Sequence, residues 1–200
     1  RGARGAVHKV RGVSQRPCGT PTFWVGNRTR PNHLSILKHL KMPTKPYRYF
    51  DGATGSVSFD DMMADLETAA EGDVVLLHGC CHNPTGANLN HSQWQAVTDL
   101  ILRKNLLPFV DIAYQGFGDG LEEDAYGTRL LASKVPEMLI AASCSKNFGI
   151  YRERTGLVIA VADSAKDQPV TQANLAYVNP QKFSFPPDHG ARLVTMLLSD

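Results

Sequence analysis

The sequence predicts an α/β fold, a mostly parallel sheet covered by helices on both faces. Apolar, β-rich runs recur along the 200 residues with helix-length amphipathic stretches between them, and that alternation is the mark of parallel strands joined by helices. Several runs, such as VVLL at 74–77 and MLIAA at 138–142, are apolar without a break. A sheet with one wet face would alternate instead, so both faces are expected to be buried.

In chain order, the expected strands are TFWVG (22–26), YRYF (47–50), DVVLLHG (73–79), LLPFVDIAY (106–114), EMLIAAS (137–143) and GLVIAVA (156–162). Helices are expected over Pro31–Leu40, Phe59–Ala70 and Ser92–Lys104. The second of these places Phe59, Met62, Met63, Leu66 and Ala69 or Ala70 on one stripe at helical spacing, as a helix packed on a sheet requires. No internal repeat or low-complexity tract interrupts the pattern, so residues 1–200 read as one domain.

Composition narrows the function classes. With 42% hydrophobic and 20% charged residues the chain is globular and long enough for a sizeable core. The net charge is +2 and the 21 basic residues are scattered, which gives no stripe for a phosphate backbone, so nucleic acid is not an expected partner. No apolar run reaches the roughly 20 residues that cross a bilayer, and the N-terminus lacks an apolar signal region, so neither membrane nor export is expected. Cys18, Cys80, Cys81 and Cys144 include an adjacent pair and no CxxC; a reducing, cytoplasmic compartment is expected rather than a disulfide framework. His78, Cys80, Cys81 and His82 crowd together in sequence, but neighbours on a strand point to opposite faces. No metal site is expected from them.

In α/β sheets ligands sit outside the carboxyl ends of the strands. Three polar clusters fall there: HGCCHNPTG after VVLL, DIAYQGF after LPFV, and SCSKNFGIYRER after MLIAA. Lys146 alone reads as a solvated surface charge. Its company of Ser143, Ser145 and Arg154 instead suits a lysine nucleophile beside a phosphate-binding group; on its own, Arg154 could equally pair with a surface carboxylate such as Glu153. Asp111 ends a buried strand and needs a cation or several donors. A protonated pyridine nitrogen would serve, and so would a histidine such as His33. Tyr114 alone reads as a core or rim aromatic, and Asn83, before Pro84 and Gly86, as turn chemistry.

Together, HNPTG, DIAYQGFGDGLEEDA and SCSKNFGIYRERTG resemble, in this order, the aspartate and aromatic amino acid aminotransferases, pyridoxal 5'-phosphate enzymes of fold type I. The likeness runs from about Phe23 to the end of the chain, the first twenty residues matching poorly. It implies the large, cofactor-binding domain of such an enzyme, with the small domain largely missing, and the exchange of an amino group between an amino acid and a 2-oxo acid. Lys146 would form the internal aldimine and carry the proton between the substrate Cα and the cofactor. Asp111 would keep the pyridine nitrogen protonated, with His33 behind it. Tyr114 and Asn83 would hydrogen-bond the phenolic oxygen, Asn83 would also touch the substrate carboxylate, and Ser143 and Arg154 would bind the phosphate. The full-length form would be a homodimer.

The same resemblance exposes departures. Arg30 stands where the family stacks a tryptophan on the cofactor ring, GARGA at Gly2–Ala6 has lost the hydroxyls of the phosphate loop, and Pro180 replaces the arginine that reads a distal carboxylate. Uncharged side chains are therefore the expected substrates. Two other outcomes stay open: a lyase or decarboxylase on the same cofactor fold, and a truncated domain that binds cofactor and turns nothing over.

Overall fold

A computed structural model of the chain describes residues 20–178, 185 and 187–199. Gly2–Ala6, Cys18 and Pro180 lie outside them. In chain order the elements are β1 (Phe23–Gly26), α1 (Pro31–His39), β2 (Thr44–Tyr47), β3 (Phe50–Asp51), β4 (Ser56–Val57), α2 (Phe59–Leu66) and β5 (Val74–His78). There follow α3 (His91–Arg103), β6 (Leu107–Ile112), α4 (Tyr126–Lys134), β7 (Met138–Ser143), β8 (Gly156–Val161), α5 (Gln168–Val178) and α6 (His189–Ser199).

Among the described residues six strands form one sheet in the order β2-β1-β5-β6-β7-β8, and β3 with β4 forms a small antiparallel ribbon. The sheet is parallel from β2 to β7, and only β8 runs against its neighbour. Side chains alternate between its faces and feed two cores. Trp24, Val75, Leu77, Val110 and Ile140 face α2, α3 and α4. Phe23, Val25, Val74, Leu76, Phe109 and Leu139 pack with Leu37 of α1 on the other side. Both faces of the central strands are covered, as the unbroken apolar runs require.

The edges depart from expectation. The second strand lies over Thr44–Tyr47 rather than 47–50; Pro46 lacks an N–H, which an edge strand tolerates on its unpaired side. Tyr47 closes it by donating its hydroxyl to the Leu76 carbonyl at 2.8 Å inside the core. At the other edge, β8 alternates in burial and leaves Leu157 and Ile159 50% and 42% exposed. Helix α2 stops at Leu66, four residues short, where the Thr68 hydroxyl binds the Asp65 carbonyl at 2.8 Å and competes with the helical ladder. Helix α3 begins one residue earlier than expected. Asn90 caps it in a reciprocal pair with Gln93, both bonds 2.9 Å.

Helix α4 had no sequence signal, because its buried positions are Gly127, Thr128 and Leu131 rather than an apolar stripe. Gly127 is the reason it fits: a Cβ there would collide with the Trp94 indole of α3. Gly127→Ala gains about 1 kcal/mol in helix propensity but must push two packed helices apart, a cost of about 1–3 kcal/mol. The expected net result is a lower urea midpoint; a higher one would show that the helices separate freely.

The chain leaves β1 toward β2 on one side and returns to β5 on the other. Such a reversal opens a crevice at the carboxyl ends of the flanking strands.

Candidate active site

Asp111 is the fifth residue of β6, opposite His78 of β5 and Ala141 of β7. These three positions form a row across the sheet close to its carboxyl edge. The Asp111 side chain is buried, and its two oxygens have different environments. Oδ2 takes a 2.9 Å hydrogen bond from Nε2 of His33, the third residue of α1. Oδ1 is buried with no hydrogen-bond partner. An unpaired buried acceptor costs about 1–3 kcal/mol, so the structure holds a carboxylate oxygen that lacks its donor.

His33 is itself fixed from behind. Its Nδ1 lies 3.0 Å from the Thr29 hydroxyl, which also lies 3.4 Å from Nε2 of His78. The His33, His78, His82 and Tyr49 rings follow one another at centroid distances of 5.5, 4.4 and 4.1 Å. Thr29 and Tyr49 were not singled out in the sequence, and His78 was weighed there only as a metal ligand; its place at the end of VVLL, in register with Asp111, was the available signal.

Burial, reinforced by neighbouring histidines, pushes the His78 pKa well below its ordinary 6.5 and that of His82 down to about 4. Both rings are held neutral in the folded chain and take up protons when it unfolds in acid. Their contribution to stability is complete above pH 6.5 and is lost as pH falls toward the folded values, at up to about 1.4 kcal/mol per pH unit for each proton. Urea midpoints measured from pH 7 to pH 4 should fall, and His82→Gln should flatten the slope by close to one proton. An unchanged slope would mean that His82 is charged in the fold.

A cleft of about 260 Å³ opens beyond β7, lined by Arg30, Ser143, Ser145, Lys146, Tyr151 and Arg154. Lys146 is half-buried, its Nζ 4.5 Å from the Tyr151 ring centroid and 5.4 Å from that of Tyr114. The Ser143 Oγ accepts from the Ser145 N–H at 3.3 Å, which turns the chain at the strand end. Arg154, with a positive φ of 55°, gives one N–H to the Tyr151 carbonyl at 2.7 Å. Among the described residues it makes no ion pair, and Glu153 pairs with His189 instead. The remaining guanidinium donors are available to an anion.

Ser143, Lys146 and Arg154 therefore share one cleft, Tyr114 borders the lysine, and Asp111 of the neighbouring strand β6 forms a buried pair with His33 of α1. Asn83 lies half-buried in the turn after β5. No hydrogen bond among the described residues joins it to Tyr114 or to the cleft. Arg30 precedes α1 and faces Lys146 across the cleft, which makes it a third cation there.

The His and Cys side chains of HGCCH fall into two groups. The histidines stack with Tyr49, while the Cys80 and Cys81 thiols meet Asp124. The alternation fails for the thiols because β5 ends at His78 and Cys81 adopts a φ of 44°.

A family model described as aminotransferase class I and II matches residues 18–200. The aromatic-amino-acid aminotransferase of Paracoccus denitrificans is 50% identical over 198 residues, which are 99% of this chain and 50% of that protein. The aspartate aminotransferase of Escherichia coli is 38% identical over 199 residues, 51% of its length. Among solved structures, an aromatic amino acid aminotransferase with 3-indolepropionic acid superposes with a TM-score of 0.95 at 51% identity, over 98% of this chain and 51% of that one. A Burkholderia pseudomallei aromatic-amino-acid aminotransferase covalently bound to pyridoxal phosphate superposes with a TM-score of 0.95 at 34% identity, over 100% of this chain and 50% of that one. The chain spans about half the length of these relatives.

Proposed function

The chain belongs to the class I and II aminotransferases, and from that premise we propose that it is the cofactor-binding part of a pyridoxal 5'-phosphate-dependent transaminase acting on an amino acid and a 2-oxo acid. The observation that carries the reading is the unpaired Oδ1 of Asp111. A protonated ring nitrogen is the donor that this oxygen lacks, and His33 already occupies the other oxygen. Of the two partners left open by the sequence, His33 takes one oxygen and the ring nitrogen would take the other. The residues present fit the cofactor.

When bound, the cofactor supplies an electron sink for the pair left on the substrate Cα after its proton departs. Asp111 holds the proton on the ring nitrogen, and His33 orients Asp111. Lys146 is the amine that holds the cofactor and then takes and returns the proton at Cα, a task that suits a half-buried amine between two aromatic rings. Tyr114 and Asn83 would hold the phenolic oxygen of the cofactor, and Asn83 would also meet the substrate carboxylate. Ser143 and Arg154 bind the phosphate, and the guanidinium fork suits that oxyanion.

Aromatic side chains are the proposed substrate class. The replacement of a distal-carboxylate arginine by Pro180 and the 50% identity to an aromatic-amino-acid aminotransferase both support it. The free thiols Cys80, Cys81 and Cys144 support a reducing, cytoplasmic compartment. Exposed Met196, Leu197 and Leu198 on α6 support a homodimer in the full-length form. No helix among the described residues is long and apolar enough to cross a membrane.

The test is spectroscopic. The cofactor band of the full-length protein should convert on adding phenylalanine and return on adding a 2-oxo acid, with phenylalanine ahead of aspartate in kcat/KM. Conversion without return would indicate lyase chemistry, and a band that ignores amino acids would indicate a domain that binds without turnover.

A further inference from the structure

The turn after β5 brings together three metal-ligating atoms that the transaminase reading leaves unused. The Cys80 and Cys81 sulfurs and an Asp124 carboxylate oxygen all lie within 4.8 Å of one another. Neighbouring side chains in a strand would diverge, but here the strand has ended and Cys81 is in the left-handed region at φ 44°. The two sulfurs lie within 4.8 Å of each other. Both are free.

Asp124 is held rigidly. Its Oδ2 accepts from the Gly116 and Gly118 N–H groups at 2.8 and 3.0 Å, and its Oδ1 accepts from Asp119 N–H at 3.1 Å. Carboxylates that bind metals are fixed in this way by surrounding donors. An open cavity of about 680 Å³ leads to the cluster, lined by Cys80, His91, Asp119, Glu123 and Asp124. Its three carboxylates attract a cation, and its volume admits water to a vacant coordination position.

We propose that Cys80, Cys81 and Asp124 form a binding site for a thiophilic divalent cation of the zinc and cadmium type, with water from the cavity as fourth ligand. Two sulfurs and one carboxylate oxygen suit the tetrahedral preference of such ions and disfavour magnesium or calcium, which take oxygen alone. Each thiol gives up its proton as its sulfur binds, so two protons leave for each cation that enters. The site adjoins the proposed cofactor site, since the Cys81 thiol donates to the Tyr114 carbonyl at 3.8 Å. It does not depend on the transaminase reading.

Cadmium is the probe. Titrating the reduced, cofactor-free full-length protein with cadmium chloride should develop a thiolate-to-cadmium charge-transfer absorption that saturates at one ion per chain, with two protons released in unbuffered solution. Cys81→Ser changes a half-buried residue and should keep the circular dichroism of the fold while weakening binding by more than about a hundredfold, beyond the usual cost of losing an outer-shell partner. Asp124→Asn should weaken it with the absorption retained, and a Cys18→Ser, Cys144→Ser double variant should bind as the parent does. Absence of the absorption, its survival in Cys81→Ser, or its loss in the Cys18 and Cys144 variant would overturn the site.

Discussion

Asp111→Ala should abolish amino-group transfer in the full-length enzyme while leaving part of the cofactor affinity in place. In the proposed reading the carboxylate would meet the ring nitrogen through Oδ1, the oxygen that has no hydrogen-bond partner among the described residues. Truncating one member of a buried charged pair removes about 2–5 kcal/mol, or roughly thirty- to several-thousandfold in affinity. Ser143, Arg154 and Lys146 stand on β7 and the loop beyond it, so the contacts proposed for them should survive. The effect on turnover should exceed that on binding, since the ring loses the proton that makes it an electron sink. Asp111→Asn separates charge from shape. It keeps the hydrogen bond from His33 and should be nearly as inactive as the alanine variant. Full activity in Asp111→Asn would mean that the negative charge has no part in the reaction.

Lys146→Arg should be the more informative of the lysine variants. Arginine preserves the positive charge in a cleft that already holds Arg30 and Arg154, so attraction of a phosphate is retained. A guanidinium stays protonated and cannot serve as nucleophile or proton carrier. Loss of a positioned general acid and base costs about a hundred- to ten-thousandfold, and loss of the covalent hold adds to it. Single-turnover rates with phenylalanine should therefore fall by at least about four orders of magnitude in both Lys146→Arg and Lys146→Ala, with the cofactor still retained by the arginine variant. Turnover by Lys146→Arg near that of the parent would reduce Lys146 to a fixed charge.

The central strands were legible because their two buried faces demand unbroken apolar runs, and β5, β6 and β7 lie where those runs lie. Asp111 and Lys146 drew attention by following apolar runs, but each alone had an ordinary reading, and their roles were legible only through the ordered motifs HNPTG, DIAYQGFGDGLEEDA and SCSKNFGIYRERTG. What escaped was set by contacts remote in sequence. Helix α4 is held by a glycine against Trp94, and no apolar stripe announces such a fit. The edge strand β2 was displaced because Pro46 is tolerated only where one side stays unpaired. The Thr29–His78 contact spans 49 residues and depends on a register that no local pattern encodes. The meeting of Cys80 with Cys81 hung on one backbone angle, and the period-two rule holds only while the strand lasts.

Lys146, beside the carboxyl ends of β6 and β7, is the amine proposed to hold the cofactor. Borohydride reduction of the protein loaded with pyridoxal 5'-phosphate, followed by peptide mapping, tests it directly. The label should fall on the peptide containing Lys146, at one per chain, and should be absent from Lys146→Arg. A label on Lys104 or Lys134, with Lys146 unmodified, would contradict the account.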